Sequence, residues 1–565
     1  MTSINQMIYT DTIKKGITVL LILFLNTIAN AIPAKPGQTR QLTLDDGTTV
    51  TALLVGDEYG HYWLTDDGRA FMDIGDSYVP VDKQVVHEKA QIRRNKSNQR
   101  RTARLAASRG SKAKEHFTGH KKGLIIMVNF ANKSFLAEHT DSLFDEIANR
   151  ENYKSSPFKG SMYDYFRDQS RGEFLLNFDI AGPITLSKDY EYYGTNDSEG
   201  NDLHPGEMVI EALELADSIV DYTDYDWNGD GTVEQVFLIY AGKGEADGGT
   251  AKTIWPHEYT LYEAYFDGDG SGPQIIDGVT IDTYACGSEL NGFGRVAGIG
   301  TMCHEFSHCL GYPDFYDTDY SGGQGMFEWD LMDSGSYNDD GYLPAGFTSY
   351  ERWFAGWLEP TELSETTTVS NMADLENGGG AYIIYNKGYI NEYFLLENRQ
   401  KTGWDAGIPG SGLLILHVDY DEKVWEMNEP NDNPSHQRMT WIAADNKYQY
   451  TKYNGVKYFE TSGAVNDPFP YDSINAFNAN TIPAAKFYNL NADGTYYLDS
   501  SIEDITQNTD GTVSFRFVVP TAGIPTINAK SADYDHWYDI SGRPLDRVPD
   551  APGLYIGNGN KVLIK

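Results

Sequence analysis

Thr301 to Asp317 reads TMCHEFSHCLGYPDFYD, and the fold is decided by how this stretch is read. His304 and His308 stand at i and i+4, so on a helix both imidazoles project from one face and can share a metal ion, with Glu305 beside them to act on water. Gly311 predicts the helix end, because a residue without Cβ lets the chain turn back, and Asp314 can then approach the same ion. The whole pattern is H-E-x-x-H-x-x-G-x-x-D. Two nitrogens and a carboxylate oxygen leave one tetrahedral position open, which a catalytic zinc site needs and a structural one does not. The expected zinc ligands are therefore His304, His308 and Asp314, with Glu305 as general base. A downstream Glu is the alternative third ligand, with Asp314 then a turn residue.

Downstream, Trp329 to Tyr337 reads WDLMDSGSY, a tight-turn composition around Met332. In metzincin-type peptidases a methionine turn forms the hydrophobic floor beneath the zinc ligands, and Met332 is expected in that role. Tyr337 is a weaker candidate for oxyanion stabilisation, since its spacing from Met332 differs from the usual one. Upstream, DWNGDGTVE places Asp226, Asn228 and Asp230 at positions 1, 3 and 5 of a calcium loop, Gly231 at the turn and Glu234 at position 9. Phe237 stands where a bidentate Glu belongs, so this is an incomplete EF-hand loop, and a solvated Asn/Asp/Gly hairpin is the alternative. FDGDGSGP repeats the spacing with Asp267, Asp269 and Ser271 and is weaker still.

A chain of 565 residues exceeds what one core organises, so several folded units are expected. The apolar run Gly16–Leu25 follows Lys14 and Lys15 and precedes Ala29-Asn30-Ala31, the order of a secretory signal peptide over 1–31; ten residues are too few to span a bilayer. Residues 32–82 carry short alternating runs punctuated by Asp-Gly and read as a small β-rich unit. Residues 83–122 hold 13 Lys/Arg against 2 Asp/Glu and read as a basic cleavable linker. From 123 to 360 a buried-strand run (LIIMVNF) alternates with helical periodicity, predicting a mixed α/β (α+β) domain. Residues 361–520 read as an all-β sandwich and 521–565 as a short β-like tail. The fold class is thus multidomain: an α/β (α+β) domain that carries the histidine motif, between a small β-rich unit and an all-β sandwich. The formal charge of -38 makes nucleic acid a poor partner. Cys286, Cys303 and Cys309 are too few for a disulfide scaffold; Cys286 could pair with either of the others, or all three are small buried hydrophobes.

Taken together, the H-E-x-x-H-x-x-G-x-x-D helix, the WDLMDSGS turn, the D-x-N-x-D-G loop running into VFLIYAG, and ENRQKTGWDAGIPGSGLLILHVDY resemble the immune inhibitor A-like family of secreted bacterial zinc metallopeptidases. The resemblance implies a propeptide that inhibits its own enzyme, a metzincin-like catalytic domain, a β-sandwich behind it, and endopeptidase activity on protein or peptide substrates outside the cell or at its surface. By that match His304, His308 and Asp314 hold zinc (Zn2+) and Glu305 is the base. Trp404, Asp405 and Asn428 are also family-like, without a chemistry the residues themselves give. The tail is similar to sorting tails of secreted Bacteroidetes proteins. His417 and Asp419 of HVDY share a strand face and are not taken as ligands, since a solvated face shows the same pattern. The function expected is therefore a secreted zinc endopeptidase made as a zymogen, with a zinc-activated water, Glu305 as base and a structural calcium (Ca2+) at the Asp226 loop. The alternatives are a calcium-stabilised adhesin and a zinc hydrolase of a non-peptide bond. Among the propeptide carboxylates Asp57, Glu58, Asp66, Asp67, Asp73 and Asp76, one is expected to fill the open zinc position, with steric cover of the cleft as the alternative.

Overall fold

The computed structural model describes residues 30–75, 77–94, 117–448, 450–453, 456–459, 463–520, 536–545, 547–557 and 560–564. The segment read as a signal peptide, apart from its last two residues, lies outside them, as do residues 95–116 of the basic segment and 521–535 of the tail.

The run LIIMVN is buried almost throughout because its strand, Gly119–Asn129, is central and covered on both faces. It pairs in parallel with Phe174–Thr185 on one side and Val236–Lys243 on the other, and the latter pairs in parallel with Thr283–Leu290. His257–Thr260 adds antiparallel to Thr283–Leu290, and the two-residue strand Asn30–Ala31 adds antiparallel to His257–Thr260 at the sheet edge. Alternation divides the core. Ile125 and Met127 face Phe144, Ile147 and Phe166 of the helices Asp141–Asn149 and Met162–Gln169, whereas Leu124 and Ile126 face Met208, Val209 and Leu213 of Pro205–Ala216.

The helix Ile299–His308 carries the histidine motif on the first of these faces, where Phe306 packs on Phe166, Phe178 and Trp227. Its first turn lies against the chain after Met332: a Cβ built on Gly300 would sit 1.8 Å from the carbonyl oxygen of Ser336. Gly311, at φ +89°, follows the helix and reverses the chain.

Residues 39–81 form a five-stranded antiparallel meander, with the turn glycines Gly47 and Gly68 at positive φ. The segment read as a linker over 83–122 differs at both ends. Residues 83–94 are helical, because Val86 and Ala90, at i and i+4, turn inward against this sheet and Arg94 pairs with buried Asp57. Residues 119–122 already belong to the central strand.

Beyond the six-stranded sheet, the strands Thr361–Glu362, Ala381–Tyr385, Glu392–Arg399, Gly412–Asp419 and Met439–Trp441 form a second, five-stranded sheet. All eight residues of Glu392–Arg399 are buried, since Leu395, Leu414 and Leu416 join the core of the histidine helix while Phe394, Leu396 and Leu413 pack against a three-stranded sheet of Thr367–Met372, Ser501–Gln507 and Val513–Val518. His417 and Asp419 are accordingly buried rather than solvated: His417 Nε2 lies 2.9 Å from Glu392 Oε1, and Asp419 is paired with His436 and Arg438. A four-stranded sheet lies between residues 537 and 564. Cys286, Cys303 and Cys309 are free thiols, the first two fully buried. No helix among the described residues is long and apolar enough to cross a membrane.

Gly300→Ala is expected to destabilise the fold by about 2–3 kcal/mol or more, because the added methyl meets a backbone carbonyl that cannot rotate away. Urea unfolding monitored by tryptophan fluorescence checks this; a midpoint within error of the parent would show that helix and turn are free to separate.

Candidate active site

His304 and His308 project from one helix face, their Nε2 atoms 3.3 Å apart. Asp314 Oδ1 lies 3.1 Å from the first and 3.6 Å from the second. The backbone fixes both rings: His304 Nδ1 lies 2.8 Å from the carbonyl oxygen of Leu331, and His308 Nδ1 2.8 Å from that of Tyr312. A carbonyl only accepts, so each Nδ1 carries the proton and each Nε2 turns a lone pair inward. Asp314 Oδ1 is buried with no hydrogen-bond partner among the described residues. Three acceptors therefore meet with no proton among them. That donor set of two nitrogens and one oxygen fits a divalent cation, zinc by its chemistry, with one position open.

Asp314 is aimed from outside its own loop. Asn428 donates through Nδ2 to Asp314 Oδ2 at 2.7 Å and accepts from the Asp314 backbone N–H at 2.6 Å. Oδ2 is thereby occupied and Oδ1 is turned toward the imidazoles. The Met332 turn is tied to the same place. Its Met332 carbonyl accepts from the Phe315 N–H, and Asp333 Oδ2 accepts from the N–H groups of Met326 and Phe327. Met332 itself is fully buried.

Glu305 is buried beside the histidines, with its Oε1 accepting from the Ile32 backbone N–H at 3.1 Å and its backbone carbonyl from Gln235 Nε2 at 3.0 Å. Burial first, then the charges of Asp314, Glu58 and Glu258, pushes its carboxyl well above the usual range. The residues around Ile32 run along the site as an extended chain. Asn30 and Ala31 pair with Glu258 and His257, Trp255 Nε1 donates to the Ile32 carbonyl at 3.1 Å, and the Tyr337 hydroxyl donates to the Pro33 carbonyl at 2.9 Å. Tyr337, read as a weak oxyanion candidate, thus reaches a backbone carbonyl of the chain lying in the cleft.

Of the N-terminal carboxylates expected to reach the site, Asp57 and Glu58 bear electrostatically on Asp314, and Asp76 lies outside the described residues. Asp57 is engaged by Arg94 and by the N–H groups of Tyr59 and Gly60. Glu58 Oε2 is buried without a hydrogen-bond partner among the described residues, and burial, followed by the charge of Asp57, holds its carboxyl well above the usual range.

The loop read for calcium is arranged differently. Asp226 Oδ1 accepts from the N–H groups of Gly229 and Asp230, Asn228 caps Asp230, and Asp230 caps Thr232. Glu234 turns to the Trp227 N–H, and burial pushes its carboxyl up to about 8. Three clusters of acids and histidines could hold an ion among the described residues: His304–Glu305–His308, His204–Glu207–Asp269 and Asp317–Asp319–Asp432.

Sequence reasoning gives no role to Asn428 or Gln235, and spacing offers no route to them: Asn428 stands 114 residues beyond the aspartate it holds. Asn428→Ala is expected to weaken zinc binding about 10- to 100-fold, because Asp314 loses the partner that orients it. Competition with a chromogenic chelator measures this; unchanged affinity would mean that Asp314 is aimed by its own loop.

Residues 119–357 match the family described as immune inhibitor A peptidase M6, catalytic domain. The chain is similar to the pre-pro-metalloprotease PrtV of Vibrio cholerae serotype O1 (strain M66-2), at 29% identity over 288 residues, which cover 43% of this chain and 31% of that protein. It is also similar to immune inhibitor A of Bacillus thuringiensis subsp. alesti, at 26% identity over 276 residues, covering 41% of this chain and 39% of that one. The chain thus spans about a third of the length of the curated relatives it matches. The histidine helix lies inside the matched region, so residues 119–357 are similar to the catalytic domain of the immune inhibitor A-like metallopeptidases.

Proposed function

We propose that the protein is a secreted zinc endopeptidase made as a zymogen. The observation that carries this reading is the convergence of His304 Nε2, His308 Nε2 and Asp314 Oδ1 beside Glu305, in a cleft that takes an extended main chain. Zinc held there would supply Lewis-acid polarisation of the scissile carbonyl and acidify a water. Glu305 takes the proton from the water and passes it to the leaving amine. Strand pairing on His257–Thr260 orients the substrate backbone, and the Tyr337 hydroxyl donates to a carbonyl on the leaving side. A cleft that holds polypeptide by main-chain pairing favours a peptide bond over the non-peptide alternative.

Latency is supported by the same contacts. Cleavage after Ala31, at the Ala29-Asn30-Ala31 pattern, would turn the Ile32 nitrogen into an ammonium 3.1 Å from Glu305 Oε1, so that the new N-terminus occupies the base. Glu58 is the propeptide carboxylate left over to fill the open position at zinc. Activation then requires a cut between residues 95 and 116 and departure of the N-terminal unit.

Glu305→Gln should retain zinc, since the ligands survive, and lose at least about 99% of its turnover on a quenched peptide, general-base catalysis supplying about 10²–10⁴-fold. Full-length protein should be silent until cut in the basic segment; equal activity before and after the cut would end the zymogen reading.

Departure of the N-terminal unit should depend on pH through His61. Its Nε2 lies 3.2 Å from Glu245 Oε1, Asn196 bonds the same carboxylate, and its ring stacks on Trp255 at 4.4 Å. Burial pulls the imidazole pKa down, but the charges of Glu245 and Asp57 outweigh it and the net direction is up. A raised docked-state pKa strengthens docking fully below the free imidazole value of about 6.5, and that contribution is lost as pH rises through the docked value. The cut unit should therefore dissociate faster at about pH 9 than at about pH 6, and His61→Asn should flatten the difference. Stopped-flow recovery of peptidase activity after dilution follows it.

A further inference from the structure

The extended segment does more than cover Glu305. Three residues beyond Ile32, the Lys35 ammonium is held between two carboxylates, 3.1 Å from Asp247 Oδ2 and 2.9 Å from Asp340 Oδ1, with the Phe293 ring 5.3 Å away. Both acids belong to the peptidase domain, and each is set in place by it. Asp340 Oδ2 accepts from Arg295 at 2.9 Å, which leaves Oδ1 for the ammonium. Asp247 Oδ1 lies where a Cβ on residue 292 would stand at 2.3 Å, so Gly292 provides its room. Phe293, at the rim, is 71% exposed and presents its face to the cation.

The segment that carries Lys35 lies in the cleft as a substrate would. The Ile32 nitrogen, on Glu305, stands in for the leaving amine, and Ala31, paired with the edge strand, for the residue before the scissile bond. Lys35 is then the fourth residue on the leaving side, with Pro33 held by Tyr337 in between. We propose that Asp247 and Asp340, with Phe293, form a subsite of the activated peptidase that selects Lys or Arg at the fourth residue after the cleaved bond, and that Lys35 occupies it in the uncut protein. This inference rests on the peptidase reading and deepens it to a substrate class: polypeptides with a cationic residue at a fixed distance from the cut.

The acidic remainder of the chain would attract any cationic peptide, so the test compares isomers. Two quenched peptides of identical composition carry one Lys either at the fourth or at the seventh residue after the bond, and a third carries Ala at the fourth. With full-length protein activated by a cut between residues 95 and 116, kcat/KM for the fourth-position isomer should exceed that for the seventh-position isomer about three- to thirtyfold, as expected for two partly shielded ion pairs and a ring contact. The ratio should shrink as salt rises, and it should approach one in Asp247→Asn/Asp340→Asn, whatever that variant's absolute rate. A ratio of one in the parent enzyme, or a ratio that the double substitution leaves intact, would overturn the subsite. Failure of the zinc-loaded, cut protein to cleave any of the three peptides would overturn the peptidase reading, and the inference with it.

Discussion

Three lone pairs brought together without a proton between them are a repulsive arrangement, and much of this molecule serves to maintain it. His304 Nε2, His308 Nε2 and Asp314 Oδ1 face one another in a buried space, where an unmet acceptor such as Asp314 Oδ1 costs most. A divalent cation turns that cost into binding. Each ligand atom is fixed from behind: two imidazoles by backbone carbonyls and the carboxylate by an asparagine side chain. The carbonyl that fixes His304 belongs to Leu331, next to Met332, so the methionine turn and the histidine helix have to stay in register. The close approach at Gly300 enforces that register.

The chain around Ile32 lies against the same acidic site. Burial and the charge of Asp314 raise the cost of ionising Glu305 and Glu58, and Asp57 adds to that of Glu58. Arg94, from the helix over residues 83–94, partly offsets the charge of Asp57, while the Ile32 N–H donates to Glu305. The N-terminal unit thus contributes both acids and donors to the site it covers, and His61 adds an imidazole to Glu245 nearby. The strand His257–Thr260, which pairs with Asn30 and Ala31 here, lies at the sheet edge and is a natural template for another extended chain once those two residues are gone.

How much of this the sequence reveals depends on the range over which a physical rule acts. The i, i+4 rule places His304 and His308 on one face, and the positive φ of Gly311 follows from its lack of Cβ, so the helix and its reversal are legible from eleven consecutive positions. The strand LIIMVN is legible because burial on both faces demands apolar residues nearly throughout. Asn428 is not, since no periodicity links it to Asp314. Nor is the helix over 83–94, where abundant Lys and Arg read as an exposed linker. Its Val86 and Ala90 are spaced for one buried face, but the charge run obscures that pattern. His417 and Asp419 mislead in the opposite sense, because alternation along a strand is silent about whether a second layer covers its polar face.

The region matched to the peptidase family ends at residue 357, yet the physical unit that sustains the site does not. Asn428, from beyond the matched region, holds Asp314. Arg399, wholly buried between Glu397 and Asp405, sends Nη2 to the carbonyls of Trp329 and Gly346, on either side of the methionine turn. A buried guanidinium paired on two sides holds its geometry firmly, because removing one partner strands a charge at about 3–5 kcal/mol. Leu395, Leu414 and Leu416 lie in the same apolar cluster as Phe306 and Met332, so no solvent layer separates the second sheet from the histidine helix. The second sheet is therefore part of the wall behind the metal site. Its buried strand Glu392–Arg399 ties down the methionine turn through Arg399, and the chain that follows Gly412–Asp419 holds Asp314 through Asn428.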